Sequence, residues 1–163
     1  MLRIGEKTYL EFLAKDNLAE PVHTQTWMGL DLLQSDKVTR WSLATQDVEH
    51  DAGFLKKYDE HLAPVEIGSR ASTDGTMLNW LMTNVLPSPE VEAAPFLLDW
   101  KKSTHPTVGL PLQCSIKSFT IEHPESELLK KLLEKLECPI DVYTANETSL
   151  KLILDTPKGD ITL

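Results

Sequence analysis

Apolar positions along this chain recur with two different periods, and the points where the period changes divide it into elements. Near the start, "LRIGEKTYLEFLA" predicts a β-hairpin: a short strand, a Gly5-Glu6-Lys7 turn, and a second arm from Thr8 to Ala14. Alternation puts Tyr9, Glu11 and Leu13 on one face of that arm, and Leu10, Phe12 and Ala14 on the other. "KDNLAEPVHTQTW" is polar and proline-marked, so it reads as a loop; "MGLDLLQSD" suits a short helical turn. "VTRWSLAT" is rich in β-formers and reads as a strand. From Asp47 to His61 the period lengthens. Val48, Phe54, Leu55, Tyr58 and Leu62 make a helical stripe, Thr45 or Asp47 can cap its start, and Pro64 ends it. "VEIGSRASTDGTMLNWLMTNV" predicts two strands joined at Asp74-Gly75, a dipeptide suited to a tight hairpin turn with positive φ. A two-proline loop, "LPSPEVEAA", leads to the strand "PFLLDWK" and then to the linker "KSTHPTVGLPL".

The remaining residues repeat a strand–helix–strand–strand order. "CSIKSFTIEH" alternates as a strand. Pro124 then suits a first helical turn, with Glu125 and Glu127 beside the positive end of the helix dipole. Leu128, Leu129, Leu132, Leu133 and Leu136 form an apolar stripe that Pro139 stops. The run is too short to sustain a coiled coil, so the helix is expected to lie on a sheet. "IDVYTA", "SLKLILD" and "DITL" are strands, the last two joined by a Pro-Lys-Gly turn. Mixed strands with a few packed helices give an α+β fold class.

Composition narrows the function. A chain of 163 residues, 41% hydrophobic and 25% charged, suits one domain with a sizeable core. The net charge of -9 argues against nucleic acid, whose phosphates are bound through dense Lys/Arg patches. No apolar run approaches the ~20 residues that span a bilayer. The N-terminal residues lack the zones of a signal peptide, so the expected compartment is the cytoplasm. Cys114 and Cys138 have neither CxxC nor zinc-finger spacing and are expected to be reduced. There is no Gly-rich phosphate loop, GxSxG or HExxH.

Taken in order, "LRIG…TYLEFLA", "GL…RWSLATQDV", "R…DGT.LNW", "PFLLDWKKSTHP" and "SLKLILDTPKGDITL" resemble the glyoxalase-like proteins of the vicinal oxygen chelate superfamily. The resemblance covers roughly Leu2 to Leu163. It implies βαβββ modules that pair into a cupped mixed sheet around a pocket. It also implies one glyoxalase-like domain over 1–163, with 1–14 the remnant of an incomplete first module, 38–100 the second module, and 114–163 a C-terminal βαβββ unit. Members carry a histidine on a strand ahead of the point where this chain starts, and it has no counterpart here. The cofactor therefore stays open: a divalent metal is compatible with the family, but tight binding is not expected. The implied function is binding of a small polar molecule in a sheet-lined pocket. That could serve a metal-assisted lyase, isomerase or dioxygenase-type enzyme; the alternative is a non-catalytic binding or oligomerising protein that has lost the metal site.

Six residues are candidates for that pocket. By resemblance Glu11 and Asp99 are carboxylates on the last strands of two modules, able to hold a metal or act as base. Their competing readings are a surface strand glutamate and a strand end emerging into water. Asp99 shares a face with Leu97 and Pro95 by alternation, and an acid on an apolar face needs a partner or a pocket. Arg70 can bind a substrate carboxylate with its two-pronged fork, or make an inter-strand ion pair with Asp99 or Glu11. It is expected to face the same cavity as Asp99. Trp80 and Trp100 are either core or ligand platform. His105 either folds over the pocket or is a loop histidine. A homodimer is also expected, with the hairpins of two copies covering one another's apolar faces and strand edges. The rival is a separate polypeptide, or a removed N-terminal region, supplying the missing strands.

Overall fold

The computed structural model describes residues 1–14, 27–72 and 75–163. The loop expected at 15–27 therefore lies, except for Trp27, outside the described residues, as does Asp74 of the expected turn. The fold class is α+β, with two α-helices and three sheets among the described residues.

The first hairpin pairs β1 (Leu2–Arg3) with β2 (Tyr9–Leu10), Leu2 opposite Leu10 and Arg3 opposite Tyr9. The second arm is shorter than alternation predicts. The ladder stops at Leu10, and Glu11 to Ala14 run on exposed.

Next come β3 (Ser42–Ala44), α1 (Val48–Tyr58), β4 (Val65–Ala71), β5 (Met77–Thr83) and β6 (Phe96–Asp99). Asp47 is the cap of α1, its carboxylate accepting from the His50 amide at 3.1 Å. Thr45 instead accepts from the Asp47 amide at 3.1 Å, so the two candidate caps act in series. The four strands order as β3-β6-β5-β4, β3 parallel to β6 and the other pairs antiparallel. The β4–β5 ladder closes at Ala71 and Met77. Beyond it the Ser72 amide donates to the Thr76 carbonyl at 2.8 Å, and the Gly75 amide to the Ser72 carbonyl at 3.0 Å. Gly75 still uses its freedom there, with φ +85°.

The C-terminal elements are β7 (Ser115–His123), α2 (Ser126–Lys135), β8 (Asp141–Thr144), β9 (Ser149–Thr156) and β10 (Gly159–Thr162). Both units run strand–helix–strand–strand–strand, yet they pair differently. In the first, the strand before the helix pairs with the last strand of the unit. In the second the order is β10-β9-β7-β8, so the strand before the helix is central, parallel to β8 and antiparallel to β9.

One apolar core joins the two units. Val48 and Leu55 of α1, Leu97 of β6, Ile121 of β7 and Leu129, Leu132 and Leu133 of α2 belong to a single buried cluster. Leu128 is the exception in the expected leucine stripe: at the start of α2 it stays 45% exposed.

A smaller cluster corrects the expectation of a bare hairpin. Ile4 is buried against Leu152 and Leu154 of β9, with Leu2 and Leu10 packed alongside. The Arg3 guanidinium donates to the Leu110 carbonyl at 3.1 Å, and the Thr107 hydroxyl to the Glu6 carbonyl at 3.1 Å. The chain's own C-terminal sheet and the 105–110 segment thus cover the hairpin's apolar face, so that face does not need a second copy.

Candidate functional site

Register divides the β3-β6-β5-β4 sheet into two faces, because residues directly opposite on neighbouring strands point the same way. Leu43, Leu97 and Val65 share the face that packs under α1, and Leu81 joins them in the core. Asp99 is opposite Leu81, so its carboxylate belongs to this helix-side face. The other face carries Glu66 opposite Met82, Gly68 opposite Trp80, and Arg70 opposite Leu78. Arg70 and Asp99 therefore lie on opposite faces of the sheet, and the cavity expected between them does not form. The reason is parity: Leu78 and Leu81, their partners on β5, are three residues apart.

Asp99 has a different occupation. It is 8% exposed and accepts from the Lys101 amide at 2.7 Å, while the Lys101 ammonium sits 2.8 Å from its other oxygen. Lys101 is in the left-handed region at φ +51°, and the Ser103 amide closes the turn on Trp100 at 2.9 Å. The Ser103 hydroxyl ties this turn to both the amide and the carbonyl of Asn79, each at 2.8 Å. The carboxylate thus holds the bend that turns Trp100 toward the other face. Burial on its own raises the Asp99 pKa, but the hydrogen bonds and charge of Lys101 outweigh it and hold the group below the usual aspartate value. A depressed carboxylate pKa stabilises the fold above the unfolded value of about 3.9, and that contribution is lost as pH falls through the folded value. Asp99→Asn should therefore lower stability at neutral pH and lose less than the parent on acidification below about pH 4, measured by urea unfolding at several pH values. Equal acid sensitivity in the two proteins would contradict the assignment.

The face opposite α1 carries an aromatic row. The Trp80 indole lies across Gly68, where a Cβ would fall 2.1 Å from the ring, so only glycine allows this close approach. Its N–H reaches the Met82 sulfur at 3.3 Å. Trp80 and Trp100 have ring centroids 5.3 Å apart, Trp100 and His105 6.1 Å, and His105 and Tyr9 5.9 Å. Edge and tilted contacts of this kind fix the rings relative to one another. Burial, with the charge of Lys7, holds the His105 pKa below its ordinary value, so the imidazole is neutral at pH 7. Its Nδ1 lies 2.8 Å from the hydroxyl of the buried Thr107 and accepts from the Thr107 amide at 3.3 Å. Tyr9 ends the row with its pKa pushed up to about 12, by burial first, then by the Glu11 carboxylate, and partly offset by Arg70. Glu11 and Arg70 are thus both close enough to act electrostatically on the Tyr9 hydroxyl, which remains a hydrogen-bond donor at neutral pH. Arg70 is exposed and makes no hydrogen bond or ion pair with another described residue.

Five of the six candidates, Glu11, Arg70, Trp80, Trp100 and His105, lie along this row, and Asp99 does not. Tyr9 and Thr107 are the residues that spacing alone missed. Alternation placed Tyr9 on the face of Glu11, which was a usable signal; nothing in the sequence marks Thr107. No three His, Cys, Asp or Glu side chains gather among the described residues in a way that could hold a metal ion. Glu11 instead shares its surroundings with the cation of Arg70, a poor neighbour for a divalent ion. Two surface hollows lie away from the row. One of about 320 Å³ is lined by Lys130, Cys138 and Tyr143, and one of about 640 Å³ by Leu2, Cys114 and Lys158. Neither presents an arginine or a ring stack. In the first, burial raises the Cys138 thiol pKa and Lys130 is ion-paired with Glu127 at 2.8 Å.

Among the described residues, no helix is long and apolar enough to cross a membrane. Compared with protein families, residues 1–137 match the profile of a glyoxalase-like domain, ending at the end of α2 and leaving β8 to β10 beyond the match. Comparison with curated proteins and with solved structures found no match.

Proposed function

The chain belongs to the glyoxalase-like domain family, and on that premise we propose that it binds a small anionic molecule with a planar apolar part on the sheet face opposite α1. The observation that carries the reading is the exposed Arg70 guanidinium, without a hydrogen bond or ion pair to another described residue, beside a row of mutually packed rings. Arginine's fork suits a carboxylate, and indole faces suit a flat apolar body. In this reading Arg70 takes the anion, the protonated Tyr9 hydroxyl donates a second hydrogen bond, and Trp80 and Trp100 form the platform. Neutral His105, held by Thr107, closes the end of the row. Glu11 is a carboxylate placed to accept a proton or a hydrogen bond from the ligand, and Asp99 supports the site by shaping the turn that carries Trp100.

The reading is that of a binding protein, with no reaction assigned. Its assembly is a homodimer, its compartment the cytoplasm, and its domain a single unit over 1–163, with 38–100 forming the module that carries Arg70, Trp80 and Trp100.

Tryptophan fluorescence titrated with benzoate and with uncharged benzamide tests it. Two of the chain's four tryptophans lie in the row. Benzoate should quench saturably with a Kd on the order of 0.1–1 mM, the range for a ligand of so few atoms, and benzamide should bind at least about tenfold more weakly. Equal binding of the two, or none, would remove the anion site.

A further inference from the structure

We propose that two copies of this chain associate through the outer edge of β4, pairing antiparallel about Gly68 and joining two four-stranded sheets into one of eight. β4 is the last strand in the order β3-β6-β5-β4, so one of its edges pairs with no strand among the described residues. It is seven residues long, "VEIGSRA", with no proline and no lysine to discourage pairing. Ile67 on this edge is 82% exposed, the most exposed large apolar residue in the described chain, and Met77 beside the turn is 53% exposed.

The sequence of the strand selects the occupant and the register. Pairing about Gly68 places residue 66 of one copy opposite residue 70 of the other, and the two-fold axis repeats the pair. Glu66 then meets the partner's Arg70, and Arg70 meets the partner's Glu66, all on the face opposite α1. Registers centred on Ile67 or Ser69 lose both pairs. Opposite charges directly across an antiparallel ladder are mutually stabilising. On the α1 side the same register makes Ile67 and the partner's Ile67 diagonal neighbours, within reach of one another. A strand with an acid and a base placed symmetrically about its centre is complementary to itself, and two-fold pairing is the commonest closed assembly.

This interface deepens the homodimer of the proposed function and does not rest on the anion site, although Arg70 belongs to both. The guanidinium has five donors, so a carboxylate of the partner and a ligand can be served by different edges. The test separates the two. Sedimentation velocity on the full chain, from about 5 to about 200 μM, should show a reversible monomer–dimer equilibrium, the weak regime for an interface of this small size. Glu66→Arg leaves Arg70 untouched but turns two attractive pairs into two repulsive ones. It should raise the dimer Kd about tenfold or more while benzoate binding stays unchanged. Arg70→Glu should weaken both dimer and benzoate binding. The double swap Glu66→Arg with Arg70→Glu restores the charge pairs and should return the dimer Kd to within about threefold of the parent, with benzoate binding still lost. A parent monomeric over the whole range would overturn the proposal. So would a dimer indifferent to Glu66→Arg, or one that the double swap fails to rescue. A normal dimer series with no benzoate binding in the parent would sink only the anion reading.

Discussion

Leu132→Ala should lower the unfolding free energy by about 2–5 kcal/mol, the range for emptying a buried leucine site, and Leu128→Ala should change it by less than about 0.5 kcal/mol. The two residues are four apart on α2, yet Leu132 is 4% exposed in the core and Leu128 is 45% exposed. Leu132 shares its cluster with Leu55 of α1, Leu97 of β6 and Ile121 of β7, so its cavity would open at the join between the two units. Chemical denaturation should show a single transition shifted to lower denaturant. Two separate transitions in the parent protein would mean that the units do not share one core.

Arg40 is expected to give the second-largest effect. Its guanidinium donates to four main-chain carbonyls, Thr39 at 2.8 Å, Glu90 at 2.9 Å, Leu86 at 3.0 Å and Pro89 at 2.7 Å. Three of these belong to the proline-rich segment between β5 and β6, a stretch with little regular structure to satisfy its own backbone. Gly29, at φ +70°, sits against the same segment, and a Cβ there would fall 2.2 Å from the Pro87 carbonyl oxygen. Arg40→Ala should cost about 2–4 kcal/mol, since hydrogen bonds to a charged group are worth more than neutral ones and several carbonyls lose their donor together. Arg40→Lys should recover little, because an ammonium cannot span the fan of acceptors that a planar fork reaches. If lysine restored most of the stability, the charge rather than the fork would be the stabilising feature. Urea unfolding of the three proteins decides between these.

Alternation and helical period made most of this fold legible. Both helices, the β4–β5 hairpin and the C-terminal strand order along the chain follow from the placement of apolar residues and from Asp47, Pro64 and Pro139. Pairing between distant strands was not legible. No local pattern distinguishes a unit whose last strand returns to its first from one whose first strand becomes central, and the two units here differ in that respect. The candidate site was legible in part for the same reason. Alternation set Asp99 on the face of Leu97 correctly, but placing Arg70 relative to Asp99 required the register across β5. Thr107 reaches the Glu6 carbonyl and Arg40 the Leu86 carbonyl, main-chain partners far away in sequence for which composition and spacing carry no signal. The expectation of a bare N-terminal hairpin failed because its cover, Leu152 and Leu154, comes from the other end of the chain.

The proposed site puts ligand recognition on the Arg70 face and not at Asp99. Calorimetric titration of benzoate into Arg70→Gln and Asp99→Asn tests it most directly, with unfolding curves run on both to separate binding from stability. Arg70→Gln should weaken binding about tenfold or more while remaining as stable as the parent, because Arg70 is exposed and bonds to no described residue. Asp99→Asn should lose stability but keep benzoate affinity within about threefold, since its carboxylate lies on the opposite face. Loss of binding in Asp99→Asn at full stability, with binding intact in Arg70→Gln, would contradict it.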